Sequence, residues 1–161
     1  TKEGMSIRFN EADVRPMGRS ARGVKAITLG KNDTVVSMSI IEKNTKDTIL
    51  MVTELGYGKR STTDEYRIQS RGGVGIITQK TSDKVGFVVG ASKVSESQEL
   101  ILSTDKGQVI RTRINEISII GRNTQGVRLM NLDSTEEKIT GFAIIEADEE
   151  ETATSNISDI H

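Results

Sequence analysis

The sequence predicts an all-β fold, an array of four-stranded blades of the propeller type, and three observations predict it. One short chain of 161 residues repeats a phrase three times: RSARGVKAI (19–27), QSRGGVGII (69–77) and RNTQGVRLM (122–130), with Gly23, Gly73 and Gly126 spaced by 50 and 53. Its apolar runs are short and bounded by Gly, Asp, Asn and Thr, the punctuation of strands and hairpins. No long stretch shows a 3.6-residue apolar period, so helix is expected to be scarce. Four strands in roughly 50 residues is the size of a propeller-type blade.

The repeat extends beyond the phrase. Upstream of it lies a turn, TKEG (1–4), TELG (53–56) and TDKG (104–107). An arginine follows each turn (Arg8, Arg60, Arg111), then an acid (Asp13, Glu65, Glu116), then Val14, Tyr66 or Ile117. In the second copy TILMVT (48–53) and YGKRS (57–61) are expected to form a hairpin, followed by strands at VGIIT (74–78) and KVGFVV (84–89). The third repeats this with ELILS, QVIRTRI, VRLMNL and ITGFAII. The phrase glycines Gly23, Gly73 and Gly126 are expected at the entry to the third strand, where a positive φ or a close approach between chains demands no side chain. After them Val24, Val74 and Val127 would begin the inward alternation, and Lys25, Gly75 and Arg128 would face out. The recurrent arginine and acid suggest a structural ion pair in each copy, Arg8 with Asp13, Arg60 with Glu65 and Arg111 with Glu116, because the guanidinium fork grips carboxylates bidentately; phosphate contact is the alternative for that column. The resulting blades span 1–44, 45–97 and 98–145, followed by an acidic tail, 146–161. The first blade starts inside its hairpin turn, so the chain is expected to be a cut piece of a longer array, with an open sheet edge around residues 5–9.

Composition excludes several classes of function. There is no cysteine and the single histidine is His161, so neither a Cys-ligated metal site nor a His-based catalytic centre is expected. No apolar run reaches the roughly 18 residues of a membrane helix, and no signal segment opens the chain; a cytoplasmic protein without cofactor or metal fits. GGVG lacks the GK[ST] of a phosphate loop. Residues 1–145 carry a net charge of +5 and residues 146–161 one of −6. A basic body with an acidic tail suits polyanion binding with self-regulation. The tail is expected to be disordered and to compete with phosphate for the basic rim.

The phrases RFNEADVRPMGRSARGVKAI (8–27), VTELGYGKRS (52–61), EYRIQSRGGVGI (65–76) and INEISIIGRNTQGVRL (114–129) resemble the C-terminal domain of bacterial DNA gyrase A. The resemblance implies a six-bladed β-pinwheel, of which this chain would form the last three blades. It also implies double-stranded DNA as ligand, wrapped on a basic rim in support of ATP-dependent negative supercoiling. The implied partners are the rest of gyrase A and, through it, gyrase B, in a heterotetramer with two copies of each. The C-terminal domain of topoisomerase IV is the related alternative, and a repeat-based protein-interaction scaffold the alternative of another class. The parent would be a topoisomerase, with its catalytic tyrosine in another domain. The family's wrapping motif, Q-R-R-G-G-K-G, is matched here only by QSRGGVG (69–75), with Ser70 and Val74 in place of Arg and Lys, so the chain is expected to bind and bend DNA without wrapping it alone.

Non-specific wrapping needs Lys and Arg spaced along a curved surface to meet phosphates, with counterion release supplying most of the free energy. The candidates are Arg19, Arg22, Lys25, Arg71, Arg122 and Arg128 in the phrase, with Arg15, Lys59 and Arg67 in the preceding connections.

Overall fold

The computed structural model describes residues 1–147; the acidic tail, apart from Glu146 and Ala147, lies outside them, and so do the expectations about its disorder and regulation. The described residues form three antiparallel sheets linked by short 3-10 turns. Strands β2 (Thr48–Thr53) and β3 (Tyr57–Thr62) make the hairpin read from TILMVT and YGKRS, and β6 (Gln98–Thr104) with β7 (Val109–Arg113) repeats it. The short strands β1 (Met5–Ser6), β4 (Ile76–Ile77) and β8 (Val127–Arg128) and the longer β5 (Val88–Val94) and β9 (Ile139–Glu146) complete the set. One expected strand is displaced. Within KVGFVV, Val85 and Gly86 belong to a turn, with Leu55 N–H donating to the Val85 carbonyl, and the strand begins only at Val88.

Repeat and sheet do not coincide. The second sheet runs β5-β2-β3-β8, so its outer strand comes from the third repeat. β4 of the second repeat likewise pairs with β1 of the first. The two joints share one register: Met5 opposes Ile77 and Ser6 opposes Ile76, while Tyr57 opposes Arg128 and Gly58 opposes Val127. Strands are thus exchanged from each repeat to the one before it.

β2 explains how the layers pack. Every one of its residues is buried, as expected of a strand covered on both faces. Side chains alternate across a strand, so Leu50 and Val52 join Val94, Leu100, Leu102, Ile114, Ile117, Met130 and Ile139 in one core, while Ile49 and Met51 join Tyr66 and Val88 in another. The first core lies between the second and third repeats; the other is flanked by Val36 and Ile41 of the first. Leu50, Leu100 and Leu102 are fully buried, each contributing about 1.5–3 kcal/mol of transfer free energy.

The joint register corrects the sequence alignment. The hairpin glycines Gly4, Gly56 and Gly107 are 52 and 51 residues apart, and so are Gly23, Gly75 and Gly126. Gly75, not Gly73, is therefore the equivalent of Gly126. Gly23, Gly75 and Gly126 have φ of 81°, 79° and 83°, whereas Gly73 is not among the positive-φ glycines. A Cβ on Gly75 would lie 2.2 Å from the Ser6 carbonyl oxygen, and one on Gly126 2.6 Å from that of Gly58. Close approach of two backbones at each joint is what demands glycine. With the register moved by two residues, Ile76 takes the place expected of Val74, which is 64% exposed.

Candidate nucleic-acid interface

The segments 14–25, 66–77 and 117–128 follow the three 3-10 turns, Glu11–Asp13, Thr63–Glu65 and Ile114–Glu116. The second and third lie along the return strand of the preceding repeat: Gln69 N–H donates to Arg8 O at 2.8 Å, and Ile120 N–H to Arg60 O at 2.9 Å. Since β8 is the outermost strand of its sheet, these segments form the rim, and side chains in corresponding columns project from corresponding places. Arg15, Arg19, Arg22, Lys25, Arg67 and Arg128 are all exposed there. Arg15 matches Arg67 at an interval of 52, and Lys25 matches Arg128 through Ile77.

Three candidates have structural duties. Lys59 is fully buried. Its Nζ donates to the carbonyls of Gly121 (3.0 Å), Arg122 and Thr124 (3.0 Å) and to Thr124 Oγ1 (2.9 Å). An ammonium enclosed in this way cannot meet phosphate, so Lys59 leaves the candidate set. Burial draws its pKa down to about 8, with Glu65 opposing the shift and Arg122 adding to it. Arg71 and Arg122 are partly buried and make equivalent bonds. Arg71 Nε donates to Asp13 O at 3.2 Å and its Nη1 to Lys25 O at 2.5 Å; Arg122 Nε donates to Glu65 O at 3.1 Å and its Nη1 to Ile77 O at 2.5 Å. In the corrected register, Arg19, Arg71 and Arg122 form one column, and the second and third members clasp the preceding repeat.

The second arginine column also bonds across joints. Arg8 Nη1 donates to Thr63 O (2.9 Å) and Tyr66 O (3.2 Å) of the following 3-10 turn. Arg60, 3% exposed, donates from Nε to Ile117 O at 2.8 Å and from Nη2 to Asn115 O at 3.4 Å, with Glu96 as its ion-pair partner. Arg111 pairs with Glu99 across its own hairpin. The expected pairs Arg8–Asp13 and Arg60–Glu65 are replaced by grips on turn carbonyls, and Glu65 instead accepts from Arg122 N–H at 2.8 Å. Arg71 and Arg122 of one column and Arg8 and Arg60 of the other are thus structural, the latter two not by the pairing the sequence suggested.

One rim element escaped the sequence reading. Arg128 lies over the Tyr57 ring at 4.5 Å, with Nη2 donating to Tyr57 Oη at 2.6 Å, and Lys84 sits on the same ring at 5.7 Å. Cation–π contact holds two positive charges at one spot on the rim. Lys84 is matched by Asn32 and Thr135 in the other repeats, so no column reveals it.

Replacing Arg71 and Arg122 together by alanine is expected to loosen both joints. Each loses two bonds from a charged donor, about 1–2 kcal/mol per residue, so thermal unfolding should shift down by about 4–10 °C. Arg67→Ala, at an exposed rim position, should leave it unchanged. An unshifted melt in the double variant would return both arginines to the phosphate set.

Exchanged strands joined by arginine and lysine grips, with a recurrent basic edge left exposed, define a strand-swapped repeat domain of the propeller class. The sequence profile described as "DNA gyrase C-terminal domain, beta-propeller" matches residues 1–42, 47–95 and 98–146; the chain belongs to this family. It is 48% identical over 136 residues to DNA gyrase A of Haloquadratum walsbyi, covering 84% of this chain and 16% of that protein. With DNA gyrase A of Staphylococcus aureus it shares 41% identity over 164 residues, covering 99% of this chain and 18% of the relative. The chain therefore spans less than a fifth of these relatives. Among solved structures, a DNA gyrase A C-terminal domain superposes with a TM-score of 0.79 at 30% identity, covering 89% of this chain and 48% of that one. The C-terminal domain of a DNA topoisomerase IV gives 0.83 at 21% identity over 96% of this chain and 48% of its own, which speaks to the fold alone. Among the described residues no helix is long and apolar enough to cross a membrane.

Proposed function

We propose that this chain is a DNA-binding and DNA-bending module of gyrase A. It would hold double-stranded DNA on its rim without sequence preference and support ATP-dependent negative supercoiling by the whole cytoplasmic enzyme, assembled from gyrase A and gyrase B. The observation that carries this is the exposed set Arg15, Arg19, Arg22, Lys25, Arg67 and Arg128 on equivalent rim segments. A basic edge without an element suited to a major groove meets phosphates, not base edges. With about four to six phosphates neutralised, log K should fall against log[salt] with a slope of about −4 to −5. Mobility shifts at several salt concentrations test this. Arg15→Ala combined with Arg67→Ala should flatten the slope by about two while leaving the fold intact. A salt-insensitive affinity, or a strong preference for one sequence, would refute the reading.

A further inference from the structure

One place on the rim is built from three residues that only the folded joint brings together. Tyr57 of β3 stands directly opposite Arg128 of β8, and opposite residues of an antiparallel pair share a face. The Arg128 guanidinium lies over the Tyr57 ring and bonds to its hydroxyl, and the Lys84 ammonium meets the same ring. Lys84 is held there by its turn. Val85 beside it is fully buried, and Gly86 N–H closes the turn on Ser82 O at 2.8 Å. Ser82 Oγ accepts from Gln125 Nε2 at 3.0 Å, which ties the turn to the segment leading into β8. Tyr57 is buried, whereas both cations are exposed. Among the described residues neither cation forms an ion pair, not even with the exposed Asp83 next to Lys84. The first joint has no such cluster, because Met5, Ile77 and Asn32 hold the matching positions. Two like charges on one ring, without an acid to pair them, leave a site that an anion completes.

We propose that Lys84 and Arg128 grip the DNA backbone as a pair and that Tyr57 is the residue that positions them, so that the second joint offers a preformed phosphate seat that the first lacks. This rests on the reading of the rim as a DNA-binding edge, and it adds Lys84 and Tyr57 to that edge. A lone surface lysine or arginine loses rotamer freedom when it meets a phosphate. Here cation–π contact, and for Arg128 the bond to Tyr57 Oη, hold the charges in place beforehand, so less freedom is lost on binding. Donors remain for the ligand. A guanidinium carries five N–H groups, of which Tyr57 takes one, and an ammonium carries three. Tyr57 itself has no charge to set against a phosphate. It therefore strengthens binding without changing the number of phosphates neutralised, and that separates its role from the roles of the two cations.

Fluorescence anisotropy of a labelled mixed-sequence duplex, titrated with the chain at several salt concentrations, measures both quantities. Lys84→Ala and Arg128→Ala should each weaken binding at low salt and flatten the slope of log K against log[salt] by about one. Tyr57→Leu, which removes the ring, should weaken binding by about two- to fivefold at the slope of the parent chain. Tyr57→Phe keeps the ring and its packing and loses only the bond to Arg128, so it carries the comparison independently of any loss of stability in Tyr57→Leu. It should weaken binding by a smaller factor, again at the parent slope. Arg128→Ala should then cost less affinity in a Tyr57→Phe chain than in the parent, an overlap that a merely structural tyrosine would not give. A slope unchanged by Lys84→Ala, in a chain where Arg15→Ala with Arg67→Ala does flatten it, would overturn the seat and leave the DNA-binding reading standing. Tyr57→Phe binding as the parent does, or its effect adding in full to that of Arg128→Ala, would overturn the positioning role. A salt-insensitive parent chain would remove the seat and the DNA-binding reading together.

Discussion

Alanine at Gly126 should destabilise the chain by about 2–5 kcal/mol. Two penalties combine there. A left-handed φ of 83° is strained for any residue with a Cβ, worth about 1–2 kcal/mol. The new methyl would sit 2.6 Å from Gly58 O and 2.9 Å from Gly58 C, so a backbone must move, and overpacking of this kind costs about 1–3 kcal/mol. Gly23→Ala is the matched control, because it has the same φ but open space around the Cβ. It should cost the strain alone, about 1–2 kcal/mol. Equilibrium urea unfolding of both variants measures the gap. Equal losses would mean that the joint between β3 and β8 yields freely, and that glycine is there for its φ and not for the close approach.

That contrast also shows how far the sequence could be read. Short strands, hairpin turns and three copies were legible because glycine turns and alternating apolar residues are local signals. The hairpins at 48–62 and 98–113 fall where TILMVT–YGKRS and ELILS–QVIRTRI predicted. The phrase itself was misaligned in the second copy, where Gly72, Gly73 and Gly75 compete for one column. Intervals held the cue: Gly4, Arg8 and Asp13 recur at 52 and 51, and only the phrase was set at 50 and 53. Strand exchange left no local mark, since a strand has the same pattern whichever sheet it completes. For the same reason the recurrent arginines appeared to pair with acids in their own copy. Arg8 and Arg60 in fact reach 3-10 turns one repeat on, at distances the chain order conceals. Family resemblance fixed the architecture, but it could not separate basic residues that hold joints from those that remain on the rim.

Lys59 is the sharpest case of that division, and it should respond to pH. Its counterparts are Ile7 and Ile110, so an ammonium caps this joint where the matching positions carry isoleucine. Lys59→Met keeps the stem and removes the cap. Thr124 Oγ1 still donates to Gly121 O at 2.7 Å and Lys80 N–H still donates to Thr124 O at 2.9 Å, but the Arg122 carbonyl loses its donor, at about 1–3 kcal/mol for the orphaned group. Relief from burying a charge offsets part of this, so a net loss of about 1–2 kcal/mol at neutral pH is expected. Burial lowers the folded pKa to about 8, against about 10.4 in the unfolded chain. Between those values the unfolded chain binds more protons at this site, so the site's contribution to stability rises with pH, while below 8 the cost of the buried charge is present in full. Lys93, whose pKa is raised by its bond to Glu42, works in the opposite sense but is common to both proteins and cancels in their difference. Urea unfolding of the parent and Lys59→Met chains at pH 7, 8, 9 and 10 should therefore show a stability gap that widens above pH 8. A gap that stays flat would mean that the ammonium is as well solvated by its oxygen cage as by water; a gap that narrows would mean that the cage holds the charged form more tightly than water does.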